Sequence, residues 1–207
     1  MMNKMITVTA LRESAATGRV RVELLIGEEC PRRQVLSVLA EAAAGLPPRG
    51  EISEEAYGAL CDSAAVASAV DAALRVLSAA DCSRRTLVDK LRARGHAAAA
   101  AREAADLLAA RGYLDETRAA LRAAERDLAK MWGDRRILTH LVSQGYPDGA
   151  IEAVREHLED EDSVARCRRL LARRLKRAPA DENEKRRLVA SLLRFGYSMA
   201  EIRAALK

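Results

Sequence analysis

Ser83-Arg84-Arg85-Thr86-Leu87-Val88-Asp89-Lys90-Leu91-Arg92-Ala93-Arg94-Gly95-His96 decides the fold, because its pattern returns twice before the C-terminus. Arg135 to Leu158 repeats it with Ile137, Leu141, Gly145, Tyr146, Ile151 and Val154. Arg186 to Leu206 repeats it again with Leu188, Leu192, Gly196, Tyr197, Ile202 and Ala205. Gly95, Gly145 and Gly196 lie 50 and 51 residues apart, and apolar residues sit four and eight positions before each glycine. A fixed period of that length is the mark of a repeat architecture. Residues four apart share a helical face, and a glycine after the last of them suits the left-handed backbone of a helix C-terminus. Each copy therefore reads as two short helices across a tight turn, with His96, Tyr146 or Tyr197 covering the last turn. Ser198-Met199-Ala200-Glu201 has capping-box spacing for the last helix, whereas Asp134 and Asn183 are weaker caps for the first helices of their copies.

A further helical run precedes each copy, at about Val66 to Ala79, Glu116 to Met131 and Asp162 to Arg177. The resulting expectation is an all-α solenoid of three tandem three-helix repeats, 66–114, 115–160 and 161–207, forming an elongated curved body. Gly112 should end one helix and Asp115 cap the next. Trp132, the only tryptophan, reads as a packing residue at the second junction. Ala178-Pro179-Ala180-Asp181-Glu182-Asn183 is the longest polar break within the repeats.

Residues 1–65 read differently. Met5 to Leu11 and Gly18 to Ile26 alternate apolar and polar residues with period two, the mark of half-buried strands. Ser14-Ala15-Ala16-Thr17-Gly18 supplies the turn of a hairpin, which must lean on other elements because two strands alone are marginal in water. Val35, Val38, Leu39 and Ala42 have helical spacing, so Pro31 to Ala44 is expected to be helix. Gly45 to Gly50, with two prolines and two glycines, ends it. Ser53 then caps a short helix through Tyr57 and Leu60, and the head gives way to the repeats at residues 61–66.

Residues 1–65 hold 7 Lys+Arg and 9 Asp+Glu, leaving 28 and 21 of the totals of 35 and 30 for residues 66–207. The basic excess thus lies in the repeats. Its densest part is Arg166, Arg168, Arg169, Arg173, Arg174, Lys176 and Arg177, a stripe that suits a polyanion or an acidic protein groove. Glu159 to Asp162 reads as a solvated acidic turn at a helix start.

Catalytic equipment is nearly absent from the sequence. Neither a phosphate loop nor a nucleophile elbow occurs, and His96, His140 and His157 are isolated packing or surface residues. Cys30, Cys61, Cys82 and Cys167 have no paired spacing, which argues against zinc and disulfides and for a reducing, cytoplasmic setting. No apolar run is long enough to span a bilayer, and no secretory leader opens the chain. A monomeric binding protein without metal or cofactor is expected.

The order of motifs carries a resemblance. Gly45-Leu46-x-x-x-Gly50-x-Ile52, Ala73-Leu74-x-x-Leu77, Ser83-Arg84-Arg85-x-Leu87-x-x-Lys90-Leu91-x-x-x-Gly95, Gly112-Tyr113-Leu114-Asp115-Glu116, Arg136-Ile137-x-x-x-Leu141-x-x-x-Gly145 and Leu192-x-x-x-Gly196-Tyr197-x-x-x-x-Ile202 together resemble the RecX regulatory proteins. The resemblance covers nearly the whole chain. It implies three tandem three-helix units and a partner, the RecA recombinase, whose filament on single-stranded DNA these proteins enter by the groove, limiting ATPase, filament extension and strand exchange without catalytic residues of their own. Candidate contacts are Arg84, Arg85, Lys90, Arg92 and Arg94 in the first copy and Arg135 and Arg136 in the second. Lys185, Arg186, Arg187 and Arg194 serve in the third, with the Arg166–Arg177 stripe beside them. Alternatives are a helix-turn-helix-like module binding single- or double-stranded DNA without RecA, and a helical scaffold for another partner. Against the first, Ala97 to Ala110 offers few side chains that read bases.

Overall fold

Alternating apolar residues in the N-terminal segment build the first layer of the molecule. A computed structural model describes residues 5–14, 18–174 and 181–207. Strands β1 (Ile6–Ser14), β2 (Arg19–Ile26), β3 (Arg32–Leu39) and β4 (Gly50–Glu51) form an antiparallel sheet in the order β3-β2-β1-β4. Ile6, Val8, Val20, Val22, Leu24 and Val38 point to one buried face with Leu60. The expected turn residues Ala15 to Thr17 lie outside the described residues.

The helix expected over Pro31 to Ala44 is corrected to strand β3 followed by one turn, α1 (Ala40–Ala43). Gln34, Leu36 and Val38 also alternate, and pairing along the whole of β2 settles the competition between the two periods. The third strand supplies what a bare hairpin lacks.

A second correction concerns residues 61–66. The break expected there does not exist, because α2 (Glu54–Ala79) runs through it as one helix. Cys61-Asp62-Ser63-Ala64-Ala65-Val66 contains neither glycine nor proline, so nothing in the backbone stops propagation. Ser53 does cap this helix, its hydroxyl accepting from Ala56 N at 3.1 Å. Arg19 fastens the sheet to α2 by a two-pronged bond to Asp71, at 2.8 Å for each oxygen, and a third to the Ala67 carbonyl at 2.7 Å.

Eight further helices follow: α3 (Arg84–Ala93), α4 (Ala98–Ala110), α5 (Glu116–Ala129), α6 (Asp134–Ser143), α7 (Asp148–Glu159), α8 (Ser163–Arg174), α9 (Glu182–Arg194) and α10 (Met199–Ala205). Helices α3, α6 and α9 end alike. The ring residue after each glycine donates its N–H back to the carbonyl of Leu91, Leu141 or Leu192, at 3.2 Å in each case. Gly95, Gly145 and Gly196 have φ of 91°, 74° and 96°, the left-handed geometry of this cap. Asp115 caps α5 through Arg118 N, and Ser198 with Glu201 makes the capping box of α10. Two expected caps are displaced by one or two residues. Gly133 occupies the cap position of α6, leaving Asp134 inside the helix, and Asp181 rather than Asn183 caps α9.

The chain divides into two units. One comprises residues up to Ala79 with Leu87–Tyr113; the other comprises Ala80–Thr86 with Leu114–Lys207. In the first, α4 packs on α2 through small residues, with Ala100, Ala101, Ala104 and Ala105 buried. In the second, α5, α6 and α7 enclose one core around Ile137, Leu141, Tyr146 and Val154. Cys167, Leu170, Leu192, Tyr197 and Ile202 of α8, α9 and α10 form another. Low aromatic content is thus met by alanine, which lets helices approach closely.

Candidate partner-binding surface

The second unit contains two junctions of the same design. At the first, Ser83 Oγ and Thr86 Oγ1 donate to the Gln144 carbonyl, the latter at 3.1 Å. The Arg85 side chain lies over Gly145, where a Cβ would meet Arg85 Cβ at 2.8 Å. At the second, Gly133 N donates to the Phe195 carbonyl at 2.8 Å. There Arg136 lies over Gly196, where a Cβ would come within 2.6 Å of Arg136 N. Helix starts thus rest directly on glycine turns, and two candidate arginines carry their stems across them.

Arg136 is held further by aromatic rings. Its guanidinium carbon lies 3.9 Å from the Trp132 ring centre and 5.4 Å from that of Phe195. Arg174 covers Phe195 at 4.1 Å. Cation and ring therefore alternate from Trp132 through Arg136 and Phe195 to Arg174, an arrangement stabilised by the ring quadrupoles. Trp132 also meets His140 edge-on at 5.4 Å, so it packs as expected while fixing a candidate contact. Arg135, Arg136 and Arg194 line one cleft of about 540 Å³ with Trp132, Thr139 and His140.

Arg166 must be withdrawn from the candidate contacts. It is 2% exposed, ion-paired with Asp134 and 3.7 Å from Glu161 Oε2. Its Nε and Nη1 have no hydrogen-bond partner. Burial pushes the Asp134 carboxyl up, opposed by the charge of Arg166. Burial also works against the Glu201 charge, yet hydrogen bonds from Ser163 and Ser198 and the nearby Arg166 hold this carboxyl below its ordinary value. Tyr197 lies beside this cluster and donates its hydroxyl to the Met131 carbonyl at 2.9 Å. The residue is a buried strut between α8 and the start of α6.

The other candidates are placed as follows. Arg168 is exposed but donates to the Ala204 carbonyl at 2.9 Å, while Arg169 and Arg173 point outward on α8. Lys176 and Arg177 lie outside the described residues. Lys185 and Arg186 line a second groove with the exposed Leu193, Met199 and Leu206, and Arg187 is exposed on the same helix. Arg84 is half-buried, its N–H bound to Glu116 at 2.7 Å. Lys90, Arg92 and Arg94 belong to the first unit, where Arg94 bonds the Lys90 carbonyl.

One feature escaped the sequence reading. His140 Nδ1 lies 2.6 Å from Asp127 Oδ2, and Asp127 is 1% exposed, with Lys130 Nζ 2.7 Å from its other oxygen. The signal was an aspartate on the apolar face marked by Ala120, Ala123 and Ala124.

Known proteins align with this architecture. Residues 160–206 match the family described as "RecX, third three-helix domain". The Regulatory protein RecX of Halorhodospira halophila (strain DSM 244 / SL1) is 36% identical over 136 residues, spanning 65% of this chain and 84% of that protein. The chain belongs to the RecX family. A second RecX relative, from Trichlorobacter lovleyi (strain ATCC BAA-1151 / DSM 17278 / SZ), is 36% identical over 138 residues, 64% of this chain and 89% of that protein. Two RecX crystal structures share the fold. One, of regulatory protein RecX, has a TM-score of 0.74 over 97% of this chain and 98% of that chain at 15% identity. The other, RecX from Lactobacillus salivarius, has 0.60 over 69% and 94% at 21%. This RecX-family chain is accordingly a regulatory protein with a mostly helical body and a small N-terminal sheet. Among the described residues no helix is long and apolar enough to cross a membrane.

Proposed function

We propose that this chain restrains the RecA recombinase by binding in the groove of its filament on single-stranded DNA, limiting ATP hydrolysis, filament extension and strand exchange. Membership of the RecX family, at 36% identity over most of a curated relative, is the observation that carries this reading. The mechanism is occupancy of the groove. Residues 66–114, 115–160 and 161–207 act as tandem three-helix repeats, a division supported by the two like junctions built on Gly145 and Gly196. Exposed Arg135, Arg169, Arg173, Arg186, Arg187 and Arg194 supply charge toward a nucleoprotein surface, so the association weakens as salt rises. Lys90, Arg92 and Arg94 do the same from the first unit, with Arg84, Arg85, Arg136, Arg168, Arg174 and Lys185 in supporting contacts.

A helix-turn-helix reading fares less well on α4, whose exposed side chains are Ala99, Arg102, Glu103, Asp106, Ala109 and Ala110. The test is steady-state ATP hydrolysis by RecA on single-stranded DNA with increasing amounts of this chain. Inhibition at sub-stoichiometric ratios is expected. Undiminished hydrolysis at an excess of the chain defeats the proposal.

A further inference from the structure

The cleft beside Arg136 has a composition that packing does not require. Gly145 and Gly196 are 51 positions apart, and residues 51 positions before Trp132, His140 and Arg194 are Asp81, Asp89 and Ser143. The junction on Gly145 is therefore made without a tryptophan, a histidine or this third arginine, and Arg85 still lies across its glycine. Trp132, His140 and Arg194 have been added where the fold itself tolerates acidic and small residues.

What they create is a site for an anion. Arg135, Arg136 and Arg194 line the cleft with Thr139 and His140, and no carboxylate is among its described lining residues. Arg136 is held flat between two aromatic rings, with one nitrogen 3.4 Å from the Arg194 carbonyl. A guanidinium held in this way loses little freedom when its edge meets an oxyanion. His140 is oriented from behind: its Nδ1 donates to buried Asp127, which directs Nε2 away from that carboxylate. Thr139 Oγ1 donates to its own helix at 2.7 Å, so the guanidiniums and the imidazole are the groups left to bind. A volume of about 540 Å³ falls in the range of pockets that hold nucleotide-sized ligands, much more than a lone carboxylate needs.

We propose that this cleft is a subsite for a backbone phosphate of single-stranded nucleic acid, with Arg135, Arg136, Arg194 and His140 as its contacts. The inference rests on the filament-binding reading but can fail separately from it, because its test contains no recombinase. Trp132 is the only tryptophan and forms one wall, so its emission reports the site directly. The full chain is titrated with a short single-stranded thymidine oligonucleotide at several salt concentrations, then with inorganic phosphate and with a glutamate-rich peptide.

A saturable change in Trp132 emission with the oligonucleotide is expected, reversed by excess inorganic phosphate. The exposed pair R135Q/R194Q should raise Kd about tenfold and flatten the slope of log K against log salt by about 0.7 for each contact removed. Circular dichroism of the same variant guards against misfolding, and R135K/R194K should restore binding. An unchanged Kd in a folded R135Q/R194Q protein overturns the proposal. So does tighter binding of the glutamate-rich peptide than of the oligonucleotide. If RecA inhibition persists while the cleft takes no oligonucleotide, the subsite fails and the filament reading stands; loss of RecA inhibition beside intact oligonucleotide binding has the opposite meaning.

Discussion

Replacing Asp134 with alanine leaves the guanidinium of Arg166 buried with a single remote counter-charge. Arg166 is 2% exposed, and two of its nitrogens already lack partners. Once Asp134 is gone, Glu161 at 3.7 Å is the remaining printed ion-pair partner. Breaking a buried ion pair on one side costs about 3–5 kcal/mol. The Asp134 side chain is 30% exposed, which allows water to reach the vacated position and places the expected loss near the low end, about 3 kcal/mol. With a urea m-value of about 2 kcal/mol/M, the midpoint should fall by about 1.5 M. Trp132 emission follows the unit that contains the pair, and far-ultraviolet circular dichroism follows both units. D134A/R166M removes both charges and should recover much of the loss, because a buried pair replaced by apolar groups is often near neutral. A loss below about 1 kcal/mol in D134A, with no coupling to R166M, refutes the strut and returns Arg166 to the partner-binding set.

Three other outcomes are expected. G133A puts a Cβ 2.5 Å from the Gly196 oxygen and from Tyr197 N, backbone against backbone, and should cost about 2–3 kcal/mol in chemical denaturation. G58A, in the interior of α2 with open space around it, should instead stabilise by about 1 kcal/mol in the same experiment. Alkaline stability depends on two buried groups, since burial pushes the Cys167 thiol up to about 11 and the Tyr197 phenol up to about 12. The unfolded chain loses these protons first, at about 8.5 and 10, so their stabilisation is complete below that range and is lost as pH rises through the folded values. Melting temperatures across pH 8 to 12 should fall above pH 9, with Y197F showing a shallower decline.

Local signals made much of the helical body legible. Gly95, Gly145 and Gly196 announced their turns because positive φ is a property of one residue type, and Ser198 with Glu201 announced a helix start by spacing alone. The head was harder. Val35, Leu36, Ser37, Val38 and Leu39 satisfy helical and strand periods at once, and only the neighbouring strand β2 decides between them. Residues 61–66 were misread as a boundary because a change in role was expected there, although their composition favours uninterrupted helix.

The candidate surface was legible in part. Exposed arginines on α6, α8 and α9 follow from charge, but Arg166 cannot be told from its neighbours until Asp134, 32 residues earlier, is brought against it. The His140 and Asp127 pair depends likewise on the packing of α6 against α5. Pairing between distant residues is what linear patterns omit.

The most direct test of the whole account is co-sedimentation of the full chain with RecA filaments assembled on single-stranded DNA, at rising salt, beside RecA alone and DNA alone. The account predicts saturable recovery with the filament, stronger than with either component and falling steeply as salt increases. Equal recovery with bare DNA, or none with the filament at low salt, contradicts it.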